Sequence, residues 1–228
     1  MKTLSELTLK QRESLFRQLR IAITHHSNAI EGTTLSYGET KELLELGHTA
    51  GHKPIGEQLV ILGFAKAYDV IIREASNKES VMDTDFIKDI HAILFEDALQ
   101  VAPAYVSKPI GAYRTDERRI KGVSINLSAP TMIANDLENL LYRLPSNKLS
   151  LLDMAAFHIV FERIHPFADG NGRVGRLLMA YQAIQNDGIP PLIKNEDRER
   201  YLDAINNEDD LYHFLQEGVG KSLGLIGG

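Results

Sequence analysis

His165-Pro166-Phe167-Ala168-Asp169-Gly170-Asn171-Gly172-Arg173-Val174-Gly175-Arg176 separates two strongly apolar stretches, and the way it does so sets the reading of the whole chain. Upstream, residues from about Leu149 to Ile164 are apolar on most faces of a helix (Leu151, Leu152, Ala155, Ala156, Phe157, Ile159, Val160, Phe161). A helix so apolar all round is predicted to lie at the centre of a domain. Downstream, a second helix starts near Gly172 and runs through Leu177, Leu178, Tyr181 and Ile184 to a stop at Gly188. The twelve residues are therefore a loop pinned between two core helices.

Each residue type in this loop answers a demand of phosphate-directed chemistry. Gly170-Asn171-Gly172 at a helix start leaves backbone N–H groups unpaired at the positive end of the helix dipole, where anionic oxygens bind. Arg173 and Arg176, three apart, project from nearly the same face and can converge on one phosphate chain. Asp169 can hold a divalent cation that bridges two phosphates. His165, with an ordinary pKa of roughly 6.5, can take a proton from an attacking hydroxyl. Taken singly, each has a bland reading: Asp-Gly and Asn-Gly are common turns, and first-turn arginines are commonly solvated. Their joint spacing is what points to chemistry.

Outward from the loop, the periodicity is mostly helical. Apolar positions Leu15, Leu19, Ala22, Ile23 and Ile30 predict a helix from about Glu6 to Ile30 with Gly32 as its stop. Further helices are expected near Tyr37 to Leu46, Ile55 to Ala75, Thr84 to Phe95 (capped by Asp83 or Thr84) and Met132 to Tyr142. From Lys108 to Pro130 the helical period disappears, and Val123, Ile125 and Leu127 alternate after the turn signal Lys121-Gly122, which predicts a β-hairpin. The expected fold is all-α with one small hairpin. No internal repeat, low-complexity segment or long linker divides the 228 residues, so a single domain over 1–228 is expected.

Composition narrows the function classes. The chain has no cysteine, which removes disulfides, thiolate zinc sites and a cysteine nucleophile. A net charge of −6 argues against broad nucleic-acid binding, and no apolar run approaches the length of a membrane span. The first residues lack a secretory apolar region, so the expected location is cytoplasmic. His158, Glu162 and His165 have metal-ligand spacing but not the His-Glu-x-x-His order, and Pro166 ends the helix there. Apolar faces of the N-terminal helices and the tail Gly224-Leu225-Ile226-Gly227-Gly228 leave room for a homo-oligomer interface.

The twelve-residue stretch resembles, at every specified position, the signature of the Fic family, His-x-Phe-x-(Asp/Glu)-Gly-Asn-Gly-Arg-x-x-Arg. That resemblance implies transfer of AMP from ATP to a Ser, Thr or Tyr hydroxyl of a target protein, with release of pyrophosphate. It implies His165 as base, Asp169 as ligand of Mg²⁺ or Mn²⁺, Gly170, Asn171 and Gly172 as phosphate cradle, Arg173 and Arg176 as clamps, and Phe167 as the loop's buried anchor. The related Doc-type kinases have lysine in place of the second glycine and lack the last arginine, so Gly172 and Arg176 place this chain on the AMP-transferring side.

Three more segments resemble the family. Ser27-Asn28-Ala29-Ile30-Glu31-Gly32 is similar to its inhibitory-helix pattern (Ser/Thr)-x-x-x-Glu-(Gly/Asn), which implies an N-terminal inhibitory helix over about 6–32 in which Ser27 and Glu31 hold Arg176 away from the γ-phosphate. Gly111-Ala112-Tyr113-Arg114 with Val123-Ser124-Ile125 resembles the flap, about 110–129, where Tyr113, Val123 and Ile125 would dock a target chain by β-augmentation. Tyr201 and Asn207, expected on a helix after Pro190-Pro191, fall where relatives contact adenine. The target, which includes the chain itself as a candidate, is not readable from these residues. Two other readings stay open: removal of AMP from a modified protein, and a non-catalytic nucleotide-binding regulatory module.

Overall fold

The computed structural model describes residues 2–49, 51–118, 127–145 and 148–226. Among them the chain forms nine α-helices and no strand: α1 (Leu9–Ile30), α2 (Tyr37–Leu46), α3 (Ile55–Ser76), α4 (Thr84–Val101), α5 (Ile133–Tyr142), α6 (Leu151–Ile164), α7 (Asn171–Gln185), α8 (Arg198–Ala204) and α9 (Glu208–Gly224). The all-helical expectation stands. Val123 and Ile125, the alternating strand of the expected hairpin, lie outside the described residues. The flanking residues, 111–118 and 127–129, follow an irregular path.

Capping chemistry places several helix starts. Thr8 with Gln11, Ser36 with Glu39 and Ser150 with Asp153 each form a reciprocal capping box, and Asp83 accepts from the Phe86 N–H at the start of α4. α4 runs to Val101, beyond the expected end at Phe95, because no glycine or proline interrupts it before Pro103.

The centre of the domain is α7 rather than α6. Every residue from Arg173 to Ile184 is buried, whereas α6 keeps Leu152 and Val160 exposed at 41% and 37%. α7 packs on α3, α6, α1 and α4, and α3 lies so close to α4 at Gly63 that a side chain there would strike the backbone of Ile93 and Leu94. A second apolar cluster, including Ile159, Met179, Tyr201, Leu211 and Leu215, ties α8 and α9 to α6 and α7.

The residues before α1 are fastened to the far end of α7. The Leu4 N–H donates to the Asp187 carbonyl at 3.0 Å, and Ser5 donates to the Asp187 carboxylate from its N–H at 2.8 Å and its hydroxyl at 2.5 Å. Leu4 and Leu7 are buried beside these bonds. No helix among the described residues is long and apolar enough to cross a membrane.

Candidate active site

His165 caps α6 in the left-handed conformation (φ 50°, ψ 61°), which swings the chain out of the helix immediately before Pro166. Burial pulls the His165 pKa down; the Glu162 carbonyl opposes this, Arg114 adds to it, Glu31 opposes it and Arg118 adds to it. The imidazole is accordingly neutral at pH 7, the form a general base needs.

The loop after His165 is held from inside. Phe167 is fully buried and stacks on the His91 ring with centroids 3.9 Å apart. Asn171 accepts the Phe167 N–H at 2.8 Å and donates back to the Phe167 carbonyl at 2.9 Å. Its side chain therefore closes the turn, and any phosphate contact from Asn171 falls to its backbone. Gly170 takes φ 80° where a Cβ would meet the Phe95 ring at 2.7 Å, so both conformation and space demand glycine.

His91 was not singled out by sequence. It sits on α4 among core positions, where a lone histidine reads as ordinary packing. Its Nδ1 accepts from the Gly111 N–H at 2.9 Å, which leaves Nε2 to donate to the Asp169 carbonyl at 3.1 Å. Burial holds His91 down at about 4, so this neutral bridge persists at physiological pH.

Among the described residues no side chain caps α7, which leaves its first N–H groups without a capping partner. Arg173 donates to Asp169 Oδ1 at 3.0 Å and lies over the Phe95 ring at 4.9 Å. Gly170 N–H bonds the same oxygen at 2.6 Å. Arg176 is surrounded: Nε donates to the Ser27 hydroxyl at 2.8 Å, and Nη2 donates to the Ser27 carbonyl at 2.9 Å and to Glu31 Oε1 at 2.6 Å. Glu31 is the C-cap of α1, and its Oε1 lies so close to Gly172 that a Cβ there would overlap it. Burial raises the Glu31 pKa, but the charges of Arg176 and Arg173 outweigh it and leave the carboxylate ionised well below its ordinary range. A carboxylate of the chain thus occupies the anion-binding end of α7.

Behind Arg176 the site is fully buried. Tyr201 OH pairs with His158 Nε2 at 2.7 Å and receives Arg176 Nη1 at 3.5 Å. Tyr201 is 1% exposed within the second apolar cluster, so it braces Arg176 from the rear and offers no open ring face. Asn207 stands outside both helices and N-caps α9, its side chain accepting from the N–H groups of Asp209 and Asp210. The structure brings Ser27, Glu31, Asp169 to Arg176, and Tyr201 together and leaves Asn207 in this capping role. Tyr113 sits beside the motif, 6.2 Å from the Phe167 ring, with Lys88 over its other side at 5.2 Å.

The donor set suits one kind of cation site. Among the described residues no group of three or more His, Cys, Asp or Glu could cage an ion. The Asp169 side chain is 42% exposed, and only Oδ1 is engaged by the loop. A single outward carboxylate fits Mg²⁺ or Mn²⁺ completed by phosphate oxygens and water.

Comparisons with known proteins agree with this architecture. Residues 81–183 match the family model described as Fic/DOC family. "Protein adenylyltransferase Fic" from Aedes aegypti is 28% identical over 217 residues, covering 93% of this chain and 41% of that protein. "Protein adenylyltransferase fic-1" from Caenorhabditis elegans is 27% identical over 210 residues, covering 89% and 39%. The chain therefore spans about two fifths of the length of these relatives. Among solved structures, a Fic domain containing signaling protein from Bacteroides thetaiotaomicron superposes with TM-score 0.84 at 23% identity, covering 98% of this chain and 92% of that one. Fic-1 (residues 134–508) from C. elegans gives TM-score 0.80 at 22% identity, covering 96% and 65%. These two likenesses concern the fold.

Proposed function

From the match of residues 81–183 to the Fic/DOC family model, we propose that the chain carries a Fic domain and is a protein adenylyltransferase, moving AMP from ATP to a Ser, Thr or Tyr hydroxyl of a target protein. The observation that carries this reading is the Glu31 carboxylate seated at the start of α7 on the Arg176 guanidinium. A site that stabilises an internal carboxylate through an arginine fork and a helix N-terminus also suits phosphate oxygens.

In the proposed reaction the target hydroxyl gives its proton to His165, and its oxygen forms a bond to the α-phosphorus. The bond from that phosphorus to the bridging oxygen breaks, and pyrophosphate leaves with the electron pair. The first N–H groups of α7, Arg173 and Arg176 stabilise the charge on the phosphate chain. Asp169 is the residue that would hold Mg²⁺ or Mn²⁺, and the bound ion supplies further neutralisation of phosphate charge. The proposed unit extends beyond residues 81–183 to the whole chain, since α1 supplies Ser27 and Glu31, and α8 supplies Tyr201.

Glu31 and Ser27 make the wild-type site self-inhibited in this reading. With Glu31 on Arg176, that guanidinium is not free for the outer phosphate of ATP, and the nucleotide does not align for transfer. The test is intact mass and pyrophosphate release with ATP and Mg²⁺, comparing wild type and Glu31→Gly in a cell lysate that provides targets. The expected result is AMP on a target or on the chain itself, mainly with the variant. Addition of phosphate, or pyrophosphate release by neither protein, would overturn the reading.

A further inference from the structure

Arg114 is among the largest fully buried side chains, 1% exposed, yet among the described residues no acidic side chain is hydrogen-bonded to its guanidinium. Among the described residues its side-chain hydrogen bonds all go to main-chain carbonyls. Nε donates to His165 O at 2.7 Å, Nη1 to Asp116 O at 2.7 Å, and Nη2 to Ser128 O at 2.5 Å and Ile164 O at 3.4 Å. The Arg114 N–H adds a bond to Pro166 O at 2.9 Å, and the Ser128 N–H donates to Arg163 O at 3.2 Å. Burial disfavours the Arg114 charge, the Glu117 and Asp116 carboxylates offset this in part and Arg118 adds to it; such a buried cation still needs its donors satisfied, and here the acceptors are oxygens of three separate segments.

Those segments matter. Ile164 and His165 are at the C-terminal end of α6, where carbonyls lack helical partners and the dipole is negative. His165 itself holds a left-handed backbone that a non-glycine residue adopts only when its surroundings impose it. Asp116 and Ser128 lie on the two chain segments that flank residues 119–126.

We propose that Arg114 is a positioning residue for the base, fixing the backbone of His165 and the segments on either side of residues 119–126 in one rigid frame. The proposal rests on the adenylyltransferase reading for its kinetic consequence. If a target chain docks beside those segments, the single guanidinium sets the relation between the incoming hydroxyl and the imidazole. Lysine cannot replace it, because one ammonium does not span carbonyls arranged around a planar fork. The charge also acts on His165 directly. Burial lowers the imidazole pKa, the Glu162 carbonyl raises it, Arg114 lowers it, Glu31 raises it and Arg118 lowers it. Removing Arg114 therefore moves the His165 titration upward.

The test compares Arg114→Lys and Arg114→Met, each in the Glu31→Gly background, with their Glu31→Gly parent. Both should lose about 100-fold in kcat with KM for ATP within about twofold, since misplaced reacting groups cost rate while the phosphate site is untouched. His165 titration by NMR, with His165→Gln for assignment, separates position from charge: its midpoint rises in Arg114→Met and stays near the parent in Arg114→Lys. Values of kcat within about twofold of the parent in both variants, or a KM that rises in step with the loss of kcat, would overturn the proposal. If Arg114→Met fails to fold by circular dichroism, the kcat of Arg114→Lys decides. A parent that transfers no AMP defeats the enzymatic reading instead, and the NMR arm still decides for Arg114: an unmoved midpoint in the folded Arg114→Met variant overturns its action on His165.

Discussion

Arg176 stands between two neighbourhoods of different make. In front are Ser27 and Glu31 at the end of α1, polar groups that satisfy the guanidinium directly, with the Glu31 side chain still 34% exposed. Behind are Tyr201 and His158, both buried, and the largely buried Glu162; among the described residues His158 Nδ1 and Glu162 Oε1 have no hydrogen-bond partner. The front offers contacts that an incoming anion could replace one for one. The rear has less room for such exchange: Tyr201 is part of the second apolar cluster and His158 is 1% exposed, and an unpaired buried polar atom costs about 1–3 kcal/mol. On the proposed reading the front is a switch and the rear a mount, and four substitutions set the two against each other.

The largest effect is expected at the front. Glu31→Gly removes the competing carboxylate, and the coupling lost, about 3 kcal/mol, corresponds to roughly a 150-fold rise in AMP transfer. Equal initial rates for wild type and variant at saturating ATP would break the contrast at its strongest point.

The next effect belongs to the rear and is read in stability against pH. Burial pushes Glu162 up to about 7 from its ordinary 4.5, Arg176 pulling down and Glu31 pushing up. The folded protein therefore holds a proton that the unfolded chain releases, and the stability associated with Glu162 is full below 4.5 and lost as pH rises through 7. Glu162→Gln should match wild type near pH 4 and exceed it by roughly 2 kcal/mol near pH 6 and roughly 3 kcal/mol at pH 8. Urea titrations at several pH values check this; a constant difference across the range would show that Glu162 does not carry the proton. His158 and His91, held down at about 3 and about 4, favour the opposite slope and cancel in the comparison of the two proteins.

Tyr201→Phe strips His158 Nε2 of its partner and should lower stability by about 1.5 kcal/mol. The fold of activation by Glu31→Gly should be the same with Phe at 201 as with Tyr. Should Tyr201→Phe alone raise AMP transfer, the rear would be part of the proposed switch. The smallest change is expected for Ser27→Ala, which takes one acceptor from Arg176 Nε while the Ser27 carbonyl and Glu31 remain, a loss of about 1 kcal/mol and a roughly fivefold release of activity. A release matching that of Glu31→Gly would mean that the hydroxyl, not the carboxylate, is the principal contact.

The front was more legible in the sequence than the rear, and the reason is physical. Glu31 and Ser27 announce themselves by a four-residue spacing on one helix face, and the loop from His165 to Arg176 by the density of chemistry-bearing residues at fixed spacing. The start of α2 was legible at Tyr37, whereas the capping boxes at Thr8 and Ser150 start α1 and α6 at Leu9 and Leu151, a little after the expected Glu6 and Leu149. The central helix was misplaced because apolar content favours α6, while α7 carries Arg173, Arg176 and Gln182 and looks amphipathic. Their polar groups turn out to be buried, the two arginines against Asp169, Ser27 and Glu31, pairings between residues up to 149 positions apart that no local pattern reveals. His91 and Arg114 were opaque for the same reason: both act on main-chain groups, and a carbonyl has no residue identity to read. Asn207 was expected on a helix, but a side chain able to bond two N–H groups ahead of it favours the position just before one.

The bonds from Leu4 and Ser5 to Asp187 fasten the start of α1 just past the C-terminal end of α7, while Ser27 and Glu31 meet Arg176 near its other end. On the proposed reading Glu31 competes with nucleotide for Arg176 as a tethered ligand, at an effective concentration in the millimolar range or above. Raising the nucleotide level alone is then a weak way to open the site. Loosening the last turn of α1, or its anchorage at Asp187, would dilute the competitor without touching a single group that handles phosphate.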